Sequence, residues 1–306
     1  MIFLFARTQL DILALVATGS ADDMTQISTP SKAGGGVFAN HAHVFPASMN
    51  PNGTIERLLQ MLDACHIDQA ICFAPFPHQC DKNGVDPNSW LASELKHHAG
   101  RLFGFGTIDF RRDSDIETQV QQAADLGLKG LKLHPNAQDF GITDPIAMRA
   151  YGAAERHGLF VTFHSGVHQS RLSDTRVLLF DEVAWSFPKL KFSMEHVGGY
   201  HFFEEALAVL FNHVPPPWAP GKCNVFAGLA SIFSQQTNRF WYLSEERLRE
   251  LIAQIGVSQM IFGLDFPYNK EKETMLGITT IRERLGLSEG DAAMVLGGNL
   301  RRELGL

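Results

Sequence analysis

The strongest constraint on this chain is a repeat of pattern rather than of wording. Short apolar runs alternate with amphipathic segments eight times, at intervals of about 30 residues. The apolar runs fall at 37–43, 70–74, 102–108, 128–133, 159–163, 190–195, 224–229 and 259–264. Runs such as 70–74 are apolar throughout, as expected for strands of a parallel sheet buried on both faces. Between them, helical spacing covers 54–65, 90–98, 116–126, 145–157, 202–211 and 244–255, with a looser stretch at 171–187. Helices at 272–285 and 289–304 end the chain. The local signals agree: Ser244 stands at an N-cap with Glu245 and Glu246 in the first turn, and Gly127 follows a helix as its stop.

Strand–helix alternation implies parallel strands joined by right-handed crossovers. Eight such units in roughly 250 residues is the count of a closed (β/α)8 TIM barrel. The rival is an open doubly wound sheet. It loses its main support because no Gly-x-Gly-x-x-Gly follows the first strand. The expectation is therefore a single α/β barrel over 36–306, preceded by an extension and linker at 1–35.

That extension is apolar at both 1–6 and 12–17 but is interrupted by Arg7 and Asp11. No run in it approaches the roughly 18 apolar residues of a membrane span. A secretory signal would need a basic start and an unbroken apolar centre. Neither is present, although 17–21 has the small residues of a cleavage region. The four cysteines, Cys65, Cys72, Cys80 and Cys223, have no metal or redox spacing and read as free thiols, which suits a cytoplasmic location. The net charge of −7 argues against a nucleic-acid partner. A small molecule is the expected partner, and the pattern suits a monomer or a homo-oligomer equally.

Active sites of such barrels lie at the C-terminal strand ends. Here those ends carry His41 and His43 on the first strand, His134 on the fourth, His164 on the fifth, His196 on the sixth and Asp265 on the eighth. His41 and His43 share a strand face because side chains alternate with period two. Barrel closure would bring all six positions around one mouth. Neutral imidazole and carboxylate are the ligands that zinc and similar divalent ions accept. Such an ion lowers the pKa of bound water from about 15.7 to about 7. The remaining histidines, His66, His78, His97, His98, His157, His168, His201 and His213, read as surface or locally bonded residues.

Five separated motifs carry a resemblance. They are Asn-His-Ala-His-Val-Phe at 40–45, Leu-Lys-Leu-His-Pro at 131–135, His-Ser-Gly at 164–166, Glu-His-Val-Gly-Gly at 195–199 and Gly-Leu-Asp-Phe-Pro at 263–267. In this order they resemble the metal-dependent amidohydrolase superfamily, closest to its amidohydrolase-related group and the aminocarboxymuconate-semialdehyde decarboxylase-like branch. The ending at 298–302 is similar too. The resemblance implies that His41, His43, His164 and Asp265 bind one divalent ion, zinc first, with manganese or iron as alternatives. It implies that Asp265 also carries the water's proton and that His196 acts as acid/base or charge stabiliser. Lys132 lies one layer below His134 on the same strand face. It would be a carboxylated bridge if two metals bind, and otherwise a barrel-core lysine paired with a carboxylate. His134, Lys132 and Arg171 are the candidate substrate-binding residues. The main functional expectation is a metal-dependent hydrolase of a small amide, ester or lactone. The second is a metal-dependent decarboxylase of a small unsaturated or aromatic acid. The third is a metal-binding barrel without turnover.

Overall fold

The computed structural model describes residues 36–306 apart from 83, 173, 174, 217, 219 and 220, so the expectations for residues 1–35 lie outside the described residues. Nine parallel strands follow one another around a barrel: β1 (Phe38–His43), β2 (Gln69–Phe73), β3 (Leu102–Gly106), β4 (Gly130–Leu133), β5 (Phe160–His164), β6 (Phe192–Glu195), β7 (Val225–Gly228), β8 (Met260–Ile261) and β9 (Gly263–Phe266). Each of the first seven pairs with its successor in sequence, the pattern right-handed crossovers give.

The eighth strand departs from expectation. It is broken at Phe262 into β8, which pairs with β7, and β9, which pairs with β1. At the break, the Phe262 N–H donates to Val295 O at 3.1 Å, while its carbonyl accepts from Asn40 N at 2.9 Å. One strand thus serves both neighbours by dividing. Asp265 lies inside β9 rather than beyond a strand end.

The outer helices start where the sequence supplies caps. Thr54, Asp86, Ser244 and Ser288 each accept a backbone N–H from the first turn. Gly127 and Gly158 follow helices in the left-handed conformation expected of stops. The last helices close the barrel's lower end. Asn299 Nδ2 donates to Met260 O at 2.8 Å, and Arg301 reaches Gly36 O at 2.7 Å. All four cysteines are free. Among the described residues no helix is long and apolar enough to cross a membrane.

Two layers fill the barrel. Below lies an aromatic plug of Phe38, Phe73, Phe105, Phe160 and Phe226 with Ile71, Ile261 and Leu300. Its rings follow one another around the interior, with centroids 5.9 Å apart for Phe73–Phe105, 5.9 Å for Phe105–Phe160 and 5.8 Å for Phe160–Phe226. Above the plug, buried Asn40, Lys132, Thr162, Ser193 and Glu195 form a polar layer under the mouth.

Candidate metal centre at the barrel mouth

β1 reaches the mouth through a bulge. Ala39 pairs with Ala70 and Ala42 with Cys72, so β1 carries one residue more than β2 between these pairs. His41 takes up the irregularity at φ 68°. Plain alternation would send Asn40 and His41 to opposite faces. The bulge lets both grip one carboxylate: Asn40 Nδ2 donates to Glu195 Oε1 at 3.1 Å, and His41 Nδ1 lies 2.8 Å from Glu195 Oε2. Ser193 also donates to Oε1, at 2.7 Å. The His41 and His43 rings still lie side by side, 5.1 Å apart. Their shared direction is thus as expected, but it does not come from simple alternation.

Three hydrogen bonds fix which ring nitrogens are free. His41 faces Glu195 through Nδ1, His196 faces Ala230 O through Nδ1 at 2.7 Å, and His164 faces Gly166 O through Nε2 at 2.8 Å. A neutral imidazole must donate to such acceptors, so the lone pair is left on Nε2 of His41, Nε2 of His196 and Nδ1 of His164. Burial, with Lys132 as a further cause in each case, holds His41, His43 and His164 well below the ordinary imidazole range and lowers His196 to about 3. These rings are neutral near pH 7, the form a metal requires. The His41–Glu195 contact is accordingly a hydrogen bond to a neutral ring rather than an ion pair.

Asp265 completes a group of three. One donor atom each from His41, His43 and Asp265 lie within 4.8 Å of one another. Oδ1 of Asp265 is 3.4 Å from His41 Nε2 and 3.9 Å from His43 Nε2. Nitrogen and oxygen ligands sit about 2 Å from zinc, so any two of them lie within about 4 Å of each other. The spacing and the donor chemistry therefore fit a divalent ion. Burial pushes Asp265 up to about 6, opposed by a hydrogen bond from Ser231. Four residues here, His41, His196, Ser231 and Asp265, have φ between 55° and 68°. For residues with a Cβ this costs on the order of 1–3 kcal/mol each, a strain that collects at functional sites.

The other expected residues fall in different places. Lys132 Nζ is fully buried, 3.4 Å from His41 Nε2 and 5.2 Å from the centre of the Phe73 ring. Among the described residues no carboxylate lies within ion-pair distance of it, which differs from the expected pairing. Burial lowers it to about 8, and the charges of Glu195 and Asp265 oppose that shift. His134 is not a free loop histidine: it caps the short helix Pro135–Gln138 by accepting from Ala137 N at 3.3 Å. His164 lies outside the three-donor group. It stacks on His134 at 3.9 Å and 7° and meets His196 edge-on at 4.8 Å. Arg171 is exposed, with no hydrogen bond or ion pair among the described residues.

Two participants, Glu195 and Asn40, were not singled out from the sequence. They could have been, because a glutamate and an asparagine within otherwise apolar strands must find partners. His168, read as a surface residue, is exposed but stands edge-on to His134 at 4.5 Å. Trp241 stacks on His196 at 4.2 Å and 16° and donates Nε1–H to Val167 O at 2.8 Å. A Cβ at Gly166 or Gly199 would come within 2.5 or 2.8 Å of that indole, so two glycines clear its space. The sequence also offers Phe45, Phe76, Phe233 and Trp241, near strand ends or loops, as candidates for an aromatic pocket wall; Phe76 lies 6.2 Å from His43 and Trp241 lies on His196, whereas Phe233 packs on Phe262.

The fold and this donor group together describe the class of barrel enzymes that work with a divalent ion. The amidohydrolase family model matches residues 41–306, and the chain belongs to that family. No curated protein matches the chain. Among solved structures, the fold is similar to 5-carboxyvanillate decarboxylase from Sphingomonas paucimobilis (TM-score 0.67, 18% identity, covering 88% of this chain and 99% of that one). It is similar to 2,6-dihydroxybenzoate decarboxylase from Rhizobium (0.64, 15%, 88% and 98%). A third is a variant of 5-carboxyvanillate decarboxylase from Novosphingobium aromaticivorans with bound manganese and 3-methoxy-4-hydroxy-5-nitrobenzoic acid (0.67, 13%, 88% and 97%).

Proposed function

We propose that this chain is a metal-dependent decarboxylase of a small aromatic or unsaturated carboxylic acid. The observation that carries the reading is its likeness, over nearly the whole barrel, to three decarboxylases of substituted aromatic acids. The mouth itself adds support. Phe76, the exposed Tyr268 at 5.8 Å from His43, and Trp241 offer flat apolar surface around the polar donors. This reading replaces hydrolysis as the first choice. Hydrolysis stays in the comparison because the same donors can serve attack by water.

His41, His43 and Asp265 would hold the divalent ion, with His164 Nδ1 as a fourth donor once the side chains close in. Manganese joins zinc as the ion to test, since one similar structure contains it. When bound, the ion supplies positive charge to orient a substrate carboxylate and stabilise charge that develops on the substrate. Loss of carbon dioxide leaves the bond's electron pair on carbon, and a proton must take it up. Asp265, or His196 once Nε2 has taken a proton from solvent, would deliver that proton. Trp241 and Ala230 fix the ring of His196, so that its free Nε2 is the working nitrogen. His134 and Lys132 would be the polar groups to meet the substrate, His134 from the mouth and Lys132 from the layer beneath it. Arg171 would have to swing in from its exposed loop.

The discriminating experiment incubates manganese- or zinc-loaded protein with hydroxybenzoates, 5-carboxyvanillate, esters, lactones and amides in isotopically heavy water. Release of carbon dioxide from an aromatic acid is the expected result. Uptake of heavy solvent oxygen into a product acid, without carbon dioxide, would restore the hydrolase.

A further inference from the structure

The two carboxylate oxygens of Asp265 have different neighbours. Oδ1 faces the histidine pair, whereas Oδ2 accepts from the Ser231 hydroxyl at 2.5 Å. Ser231 Oγ accepts from Asn269 Nδ2 at 3.1 Å, and Asn269 Oδ1 accepts from Asn238 Nδ2 at 2.9 Å. The same Asn269 amide group donates to Leu264 O at 2.8 Å. A backbone carbonyl can only accept, so the orientation of Asn269 is settled. The direction of the whole relay then follows: Asn238 donates to Asn269, Asn269 to Ser231, and Ser231 to Asp265. All four residues are buried. Ser231 and Asp265 also share left-handed backbone, at φ 55° and 58°.

We propose that Ser231, supported by Asn269 and Asn238, is a positioning residue for the cation. By occupying Oδ2 it leaves Asp265 a single oxygen to offer and fixes the plane in which that oxygen is presented. Groups that orient a ligand in this way typically account for 10–100-fold in metal affinity. The inference deepens the metal reading above and rests on it.

The test is titration of the full-length, chelator-stripped protein with Mn²⁺, following the electron paramagnetic resonance signal of the free ion. Wild type, Ser231→Ala and Ser231→Gly are compared, with thermal unfolding of the metal-free proteins as a check on folding. Both substitutions remove the hydroxyl, but glycine relaxes the left-handed backbone and alanine does not. Both are expected to bind Mn²⁺ about 10–100-fold more weakly than wild type. Should the alanine variant fail to fold, the glycine variant carries the comparison alone. Unchanged or tighter binding by a folded variant would overturn the role of Ser231, as would a loss confined to alanine. A wild type that binds no Mn²⁺ would instead overturn the metal reading beneath it, and the two failures differ in which protein loses the ion.

Discussion

The barrel interior is built in two halves that obey opposite rules. The lower half is the plug of Phe38, Phe73, Phe105, Phe160 and Phe226, whose rings pack on one another and need no partner beyond shape. The upper half holds Asn40, Lys132, Thr162, Ser193 and Glu195, with the strained His41, His196, Ser231 and Asp265 at its rim. Everything there is buried, polar and dependent on specific hydrogen bonds. The contrast indicates that, within the barrel interior, the plug contributes stability, whereas the mouth holds groups in place at a cost to stability. The protein is thus divided along the strand axis, and a substitution should reveal which half it touches.

The largest effect is expected in the plug. Phe160→Ala should lower unfolding stability by about 3–5 kcal/mol in urea denaturation. Mn²⁺ affinity of the folded fraction should stay near wild type, and a parallel collapse of affinity would break the division. A smaller effect of opposite sign is expected one layer up. Lys132→Met removes a buried ammonium that has no carboxylate within ion-pair reach among the described residues. Replacing buried charge with apolar volume is often stabilising by about 1–4 kcal/mol. The metal-free variant should therefore unfold at higher urea concentration than wild type, and marked destabilisation would show that Lys132 holds the mouth together.

The third effect is a pH dependence confined to the mouth. Burial depresses His41, His43, His134, His164 and His196. Below about pH 6.5 the unfolded chain binds protons that these folded rings refuse, so their contribution is present above that pH and lost as the pH falls. Asp265, raised to about 6 by burial, and Glu195, also raised by burial, act in the opposite sense and lose their contribution as the pH rises. Five groups outweigh two. The melting temperature of metal-free protein should fall as the pH is taken from 7 towards 5, and a flat or rising profile would contradict the electrostatics of the mouth.

The two halves also differ in how well the sequence announces them. Apolar strands at regular intervals foretell the barrel and its strand order, because burial on both faces leaves runs such as 70–74 no other use. His41, His43 and Asp265 could be paired from their places at strand ends. Details that depend on backbone irregularity could not. The bulge that aims Asn40 and His41 at one glutamate has no composition signal, and the break at Phe262 is a tertiary solution to serving two neighbours. Glu195 escaped notice because the strand-end rule looks one residue further, to His196. The Trp241 stack and the Ser231 relay come from loops whose paths only the folded chain supplies. Lys132 shows the reverse case: its depth in the barrel was legible, but its neighbours were not.

The central claim is that distant strand ends meet to hold one cation. Its most direct test is elemental analysis, after Mn²⁺ or Zn²⁺ loading and gel filtration, of wild type beside His43→Ala and Asp265→Asn. One equivalent of metal per wild-type chain, lost in both variants while their folds persist, is the predicted result. A wild type without metal, or variants that retain a full equivalent, would contradict it.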